Sequence, residues 1–134
     1  MIRGVRGATT IEENNEQEIV TNTKELVEEM VDSNGIKPED ISHVFISVTS
    51  DVTAAFPAKS LRQIPGWVYV PVMCMQEIEV PGSLTRCIRV MMVTNTTMDQ
   101  REVQHVFLHG AKQLRPDLIG EEGNEANVRK TNIN

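Results

Sequence analysis

The sequence predicts an α+β fold in which one mixed sheet of about five strands is packed by one long helix. Three observations predict it. A single long helical pattern occupies residues 19–31, short apolar runs with strand character flank it, and glycine or proline separates the segments. The chain has 134 residues and is 40% hydrophobic, which fits one domain with its own core.

The first two elements are a strand and the long helix. Residues 2–9 alternate as a strand that places Gly4 and Arg6 on one face, and its glycines indicate a close approach of backbone or ligand. The helix begins after a cap at Asn14 or Asn15 and ends at Asn34–Gly35. Its apolar stripe consists of Ile19, Val20, Thr23, Leu26, Val27, Met30 and Val31. A helix this amphipathic covers one face of a sheet.

The later elements are shorter. A second strand is predicted at His43–Thr49, and one or two helical turns follow at Phe56–Arg62, where Pro57 suits the first helical position. Further strands are predicted at Trp67–Met73, Arg86–Thr94 and Gln104–Leu108, with Ala111–Leu114 as a candidate extension of the last. We expect one domain over residues 1–118 and a mobile acidic tail over 119–134, which has no periodicity and few apolar residues.

Charge and cysteine content narrow the class of protein. The net charge is −6, so the chain lacks the basic footprint of a nucleic-acid-binding protein. No apolar run approaches the length of a membrane span, and the first residues are too polar for a secretory signal. Cys74 and Cys87 form no CxxC pair, and free thiols favour a reducing compartment. We therefore predict a cytoplasmic protein that binds neither nucleic acid nor membrane.

The strand at residues 86–94 carries the most informative charge. Cys87, Arg89 and Met91 share one face, and both faces are apolar except at Arg89. A strand that is apolar on both faces is normally buried on both, and a buried guanidinium requires an anionic partner. That partner is either a ligand or a protein carboxylate, and the pattern alone leaves both alternatives open.

Other candidate residues carry weaker signals. Arg6 lies between glycines, and Glu77 and Cys74 lie where the third predicted strand ends, a common place for functional side chains. His105 and His109 have a helical metal-pair spacing, but strand geometry separates them by roughly 13 Å, so we predict no metal site. The sequence contains no catalytic triad, phosphate loop or dinucleotide-binding glycine pattern, and we expect no cofactor.

Five segments together resemble one enzyme family. They are Ile-Arg-Gly-Val-Arg-Gly-Ala-Thr-Thr (2–10), Phe-Pro-Ala-Lys (56–59), Val-Pro-Val-Met-Cys-Met-Gln-Glu (70–77), Cys-Ile-Arg-Val-Met-Met (87–92) and Leu-Arg-Pro-Asp-Leu (114–118). In this order and spacing they resemble the monofunctional chorismate mutases of the bacterial trimeric type. The resemblance covers the chain from Ile2 to about Leu118 and leaves only the acidic tail outside.

The resemblance implies an activity and an assembly. The reaction is the pericyclic rearrangement of chorismate to prephenate in phenylalanine and tyrosine biosynthesis, and it requires neither proton transfer nor a covalent intermediate. The implied assembly is a homotrimer whose mixed sheets pack into a central pseudo-α/β barrel with the helices outside. Its three sites lie between neighbouring subunits.

Roles for individual residues follow from the same resemblance. Arg89 would donate to the ether oxygen as negative charge develops there, and Arg6 would bind a substrate carboxylate. Glu77 and Cys74 match the positions that hold the ring hydroxyl. The other matching positions contact substrate or supply positive charge at the mouth of the site: Phe56, Ala58, Lys59, Arg62, Met73, Met75, Gln76, Leu114 and Arg115.

Phe107 departs from the family pattern, which has tyrosine at this position. Phenylalanine keeps the apolar wall of the site but lacks the hydroxyl that would reach a substrate carboxylate. We therefore expect weaker substrate binding with the chemical step largely retained.

Two other classes remain compatible with the residues alone. Small trimeric enamine/imine deaminases have a similar architecture and grip a carboxylate with an interfacial arginine, but they need a site that activates water. A trimer that senses an anionic metabolite without transforming it would need only the arginines. Conversion of chorismate separates both alternatives from a mutase.

Overall fold

A computed structural model describes residues 1–114 of the chain. Its elements are β1 (Ile2–Thr10), α1 (Glu16–Asn34), β2 (Ile41–Val48), β3 (Val72–Gln76), β4 (Cys87–Asn95) and β5 (Val106–Phe107). Short 3₁₀ segments lie at Pro38–Asp40, Pro57–Gln63, Gln100–Glu102 and His109–Gln113. Arg115, the domain boundary predicted at residue 118 and the acidic tail lie outside the described residues.

The five strands form one mixed sheet in the order β3-β2-β4-β1-β5. The central strand β4 is antiparallel to both β1 and β2, whereas β3 and β5 join the two edges in parallel orientation. This confirms the predicted α+β class, the five mixed strands and the single long helix.

Helix α1 packs on one face of the sheet, and its sequence signals act as predicted. The Asn15 side chain accepts a hydrogen bond from the Glu18 N–H, and Gly35 ends the helix in the left-handed conformation with φ 60°. The buried residues of the predicted stripe are Ile19, Thr23, Leu26, Val27 and Met30. The helix approaches β1 so closely that a Cβ atom at Gly7 would lie 2.4 Å from the Met30 sulfur. The glycine signal in β1 therefore marks the contact with the helix.

The two faces of β4 have different surroundings. Ile88, Val90 and Met92 are buried on the face that α1 covers. On the other face, which we call the open face, Arg89 is half-buried and Met91 is 37% exposed. The prediction that β4 is buried on both faces is therefore correct for one face only within the single chain.

The prediction for the third strand is wrong in position. Residues 67–70 form turns, and Trp67 is buried in the core at 2% exposure without belonging to a strand. Pairing with β2 starts where the Pro71 carbonyl accepts a hydrogen bond from the Val44 N–H at 2.9 Å. The strand itself is Val72–Gln76, so its apolar residues differ from the apolar run that predicted it.

The last strand is shorter than predicted. β5 contains only Val106 and Phe107, and the candidate extension at 111–114 lies in and just after the 3₁₀ segment His109–Gln113. His109 has φ 52°, which turns the chain out of the extended conformation. Before the strand, Gln104 pairs with a side chain of α1 instead of with a neighbouring strand.

Asn34 joins the end of α1 to the segment that leads into β5. Its side chain accepts from the Gln104 N–H at 2.7 Å and donates to the Gln104 carbonyl at 2.9 Å. We expect Asn34→Ala to lower the free energy of unfolding by about 1–3 kcal/mol, because it removes two hydrogen bonds that are each worth about 0.5–1.5 kcal/mol. Urea denaturation measures the change.

Ser33→Ala is the matched control for Asn34→Ala. Ser33 precedes Asn34 in the helix, and its hydroxyl donates to the side chain of Glu29 at an exposed position. Ser33→Ala should change the free energy of unfolding by less than about 0.5 kcal/mol. Equal destabilisation by the two variants would contradict the role assigned to Asn34.

Candidate active site

The open face of the sheet contains a depression of about 580 Å³, which we call the arginine cavity. It lies over β1, β4 and the ends of β2 and β3. Half of the fourteen residues predicted for the site line it: Arg6, Met75, Gln76, Glu77, Arg89, Phe107 and Leu114. The structure thus brings together residues that are separated by more than a hundred positions in the sequence.

Arg89 and Glu77 form an ion pair within this cavity. The Arg89 Nε atom lies 2.7 Å from Glu77 Oε2, and the two side chains are 34% and 25% exposed. Nε is buried yet lacks a well-directed hydrogen bond, because its N–H does not point along the short Nε–Oε2 line. The protein carboxylate that the sequence left as one alternative is therefore present, and it shares the cavity with the guanidinium.

Arg6 approaches the same cavity from the neighbouring strand. Ala8 of β1 pairs with Arg89 of β4, and Arg6 lies two residues before Ala8 on the same face of the sheet. Among residues 1–114, the ionisable residues that line the cavity are Arg6, Arg89 and Glu77. Arginine side chains are strong donors to carboxylates, so such a lining favours an anionic ligand.

Seven lining residues were not predicted for the site: Gly7, Ala8, Phe45, Ser47, Ile78, Val90 and Met91. Ser47 of β2 pairs with Arg89 from the side opposite to Ala8. Met91 follows Arg89 on the same face, so strand alternation was the signal that could have found it. The positions of Phe45 and Ser47 depend on the pairing of β2 with β4, which the sequence pattern did not specify.

Six other predicted residues line a different depression of about 600 Å³, which we call the lysine groove. They are Phe56, Ala58, Lys59, Arg62, Met73 and Cys74. Lys59 forms an ion pair with Glu16 at the start of α1. The lysine groove and the arginine cavity share no lining residue. Within one chain, the fourteen predicted residues therefore form two separate surfaces, apart from Arg115, which lies outside the described residues.

Cys74 lies apart from Glu77, although both were predicted near one ligand hydroxyl. It pairs with the buried residue Ile46, so its side chain faces the helix side of the sheet. Burial raises the pKa of the Cys74 thiol, an effect that a hydrogen bond from the backbone of Ala58 partly offsets. Burial also raises the pKa of Cys87, which Arg89 partly offsets. At neutral pH both groups are thiols.

The two histidines that were considered as a metal pair have separate protein partners. The Arg6 N–H donates to His105 Nδ1 at 3.0 Å, and His109 Nε2 lies 2.9 Å from Glu25 Oε1. Among residues 1–114, no group of three or more His, Cys, Asp and Glu side chains is arranged to hold a metal ion. The same part of the chain has no helix with the length and apolar character that crossing a membrane requires.

The fold and the arginine cavity define a class of protein. A small α+β domain presents two arginines and a glutamate on the uncovered face of its sheet, beside apolar side chains. This chemistry suits a compact organic anion that also carries a polar group for the carboxylate.

Comparison with known proteins identifies the family within this class. The family model for chorismate mutase type I matches residues 2–118. Chorismate mutase AroH of Bacillus subtilis is 51% identical over 118 residues, which cover 88% of this chain and 93% of the relative. Chorismate mutase AroH of Thermus thermophilus is 47% identical over 119 residues, which cover 88% and 97%. A solved chorismate mutase from Clostridium thermocellum has a TM-score of 0.81 and 48% identity, covering 84% of this chain and 99% of that chain.

The chain belongs to the chorismate mutase type I family. The family resemblance predicted from five short segments is therefore confirmed over residues 2–118.

Proposed function

We propose that this chain is a chorismate mutase that converts chorismate to prephenate in the arginine cavity. It is an isomerase, and its reaction belongs to aromatic amino acid biosynthesis. Family membership supports the activity. The observation that supports the location is the Arg89–Glu77 pair at 2.7 Å, with Arg6 on the adjacent strand of the same face.

The reaction needs positioning and charge stabilisation. One carbon–oxygen bond of chorismate breaks while one carbon–carbon bond forms, so every atom stays within the molecule. The substrate must adopt a compact conformer before the two carbons can meet, and a cavity that favours this conformer lowers the barrier. Negative charge then develops on the ether oxygen, and a fixed cation at that oxygen stabilises the transition state more than the substrate. The mechanism requires neither covalent nor acid–base catalysis.

Arg89 is the residue we assign to the ether oxygen. Its Nε lies 2.7 Å from Glu77, and its side chain also interacts with the Cys87 thiol. We assign the Nη groups as the donors to the substrate. Because β4 is the central strand with neighbours on both sides, the backbone of Arg89 is held firmly. Such preorganisation avoids reorientation of the donor during the reaction.

The other polar residues orient the substrate. Arg6 binds a substrate carboxylate, and Glu77 accepts a hydrogen bond from the ring hydroxyl while it pairs with Arg89. Cys74 contacts the same hydroxyl as a neutral thiol donor. Since Cys74 lines the lysine groove, this last role requires the groove and the cavity to meet in the assembled enzyme.

We also propose that the enzyme is a homotrimer whose sites lie between subunits. The open face exposes Phe45, Met75 and Met91 at 40%, 41% and 37%, which is apolar surface that a second subunit would cover. The lysine groove of one subunit would then close the arginine cavity of the next. This arrangement would unite the two groups of predicted residues around one substrate.

The family match to residues 2–118 supports a single catalytic domain that ends at residue 118. Cys74 and Cys87 are both free thiols, which supports a cytoplasmic location. The net charge of −6 supports a small anion bound at local arginines in preference to nucleic acid.

A direct assay tests the proposed activity. Purified protein is mixed with chorismate, and the loss of chorismate and the formation of prephenate are followed together. We expect prephenate to form much faster than in buffer alone. A rate equal to that of the uncatalysed reaction would refute the assignment.

Phe107 offers a test of substrate contacts within the cavity. It pairs with Ala8 and lines the cavity on the same face as Arg6. We expect Phe107→Tyr to lower KM by roughly three- to tenfold with little change in kcat, because the new hydroxyl donates to a charged carboxylate. Phe107→Leu keeps an apolar wall without a donor and should not lower KM. A KM for the tyrosine variant at or above that of the original chain would count against this contact.

A further inference from the structure

On the side of β1 that faces β5, a side chain binds the backbone of Arg6. β1 and β5 pair only at Gly7–Val106 and Ala8–Phe107. One residue earlier, the Arg6 N–H donates to the Nδ1 atom of His105 at 3.0 Å. The imidazole thus accepts the hydrogen bond that a backbone carbonyl would accept if β5 were longer.

This contact determines the protonation state of the histidine. A backbone N–H is always a donor, so Nδ1 must be the acceptor and carries no proton. His105 therefore binds Arg6 as a neutral imidazole with its proton on Nε2.

The histidine is itself held on both sides. The residue before it, Gln104, is bound through both its N–H and its carbonyl by the Asn34 side chain, at 2.7 and 2.9 Å. The residue after it, Val106, pairs with β1 and is buried. The backbone of His105 is therefore fixed, and its imidazole reaches Arg6 from a defined position. Residues 104–106 thus connect α1 to β1.

We propose that His105 is a positioning residue for Arg6, and this inference rests on the proposed function of Arg6 in binding a substrate carboxylate. The hydrogen bond fixes the backbone of Arg6 at the point where pairing with β5 ends. A fixed backbone directs the side chain into the arginine cavity. Without the acceptor, the Arg6 N–H loses its partner and the strand gains freedom at that residue. The loss falls on substrate binding, because Arg89 holds its own place on β4.

Three substitutions of His105 separate hydrogen bonding from packing. His105→Asn keeps an acceptor, because the asparagine Oδ1 is separated from Cα by the same number of covalent bonds as the histidine Nδ1. His105→Phe keeps a ring without an acceptor. His105→Leu removes both the ring and the acceptor. We expect KM for chorismate to rise roughly three- to tenfold in the phenylalanine and leucine variants, with a smaller change in kcat. The asparagine variant should keep a KM close to that of the original chain. Equal KM values in the asparagine and phenylalanine variants would overturn the proposal.

Hydrogen exchange of the Arg6 amide gives a second readout that does not depend on activity. We expect this amide to be protected in the original chain and in His105→Asn, and to exchange faster in His105→Phe. Rapid exchange of the Arg6 amide in the original chain would overturn the proposal. Thermal unfolding shows whether the phenylalanine variant folds, and the measurement on the original chain does not depend on that variant. An original chain without mutase activity would refute the proposed function instead. An active original chain whose KM is insensitive to the loss of the acceptor would refute the role of His105 alone.

Discussion

Arg89→Ala is expected to reduce kcat by roughly 10²–10³, the loss that follows removal of one well-placed donor to a developing oxyanion. Arg89 acts on charge that is present only in the transition state, so KM should change less than kcat. Steady-state kinetics with chorismate measure both constants. Part of the loss arises from Glu77, because its carboxylate would remain in the cavity without the cation that lies 2.7 Å away. Arg89→Ala combined with Glu77→Gln isolates that part.

Two controls accompany the Arg89 experiment. Arg89→Lys keeps the charge but loses the planar fork, and we expect a loss of kcat between those of the original chain and the alanine variant. Arg101→Ala removes an exposed arginine in the 3₁₀ segment Gln100–Glu102, away from the arginine cavity, and should leave kcat unchanged. An Arg89→Ala enzyme with nearly normal kcat would disprove the proposed mechanism even if the activity itself is confirmed.

Mixing two impaired variants should restore activity if the sites lie between subunits. Arg89→Ala damages the arginine cavity, whereas Lys59→Ala with Arg62→Ala removes two cations from the lysine groove. We assume that the two chains are mixed in equal amounts, that assembly is random and that each site uses two neighbouring subunits. In the mixed trimers, about one quarter of the sites then combine an intact cavity with an intact groove. We therefore expect co-refolded chains to recover about one quarter of the original activity.

The control for this mixture uses two defects in the same surface. Arg89→Ala and Arg6→Ala both lie in the arginine cavity, so a mixture of these chains has no undamaged cavity and should stay inactive. Recovery in the control, or no recovery in the cavity–groove mixture, would contradict the shared site.

The most accurate predictions from sequence concern α1 and β4. The helix has a continuous apolar stripe, an asparagine cap and a terminal glycine, and all of these act locally. β4 was predicted to within one residue because its apolar run is long and uninterrupted. In both elements the residues that define the pattern are also the ones that the chain buries.

The errors arise where burial and strand pairing do not coincide. Trp67 is buried from a turn, so its apolar character predicted a strand that starts too early. Met73 and Met75 belong to the true strand β3 but are exposed at 61% and 41%. A sequence pattern cannot distinguish apolar residues that pack in their own chain from those that a partner would cover.

The candidate site shows the same division. Strand alternation placed Arg6 and Arg89 on definite faces, and both line the arginine cavity. Contacts between residues that are far apart in the sequence could not be predicted from the spacing of residue types, because they depend on which strands become neighbours. Ser47 faces Arg89 only because β2 pairs with β4, and His105 reaches Arg6 only because β5 is so short.

The contact between Gly7 and Met30 has a consequence for engineering this enzyme. Two adjacent residues of β1 point to opposite faces of the sheet: Gly7 contacts the helix and Arg6 lines the arginine cavity. A library that varies residues 6 and 7 together would combine changes in substrate selectivity with overpacked, poorly expressed variants. Keeping Gly7 constant while varying Ser47 and Phe107 would sample new selectivity at little risk to yield. The closeness of helix to strand thus sets which neighbouring codons can be randomised.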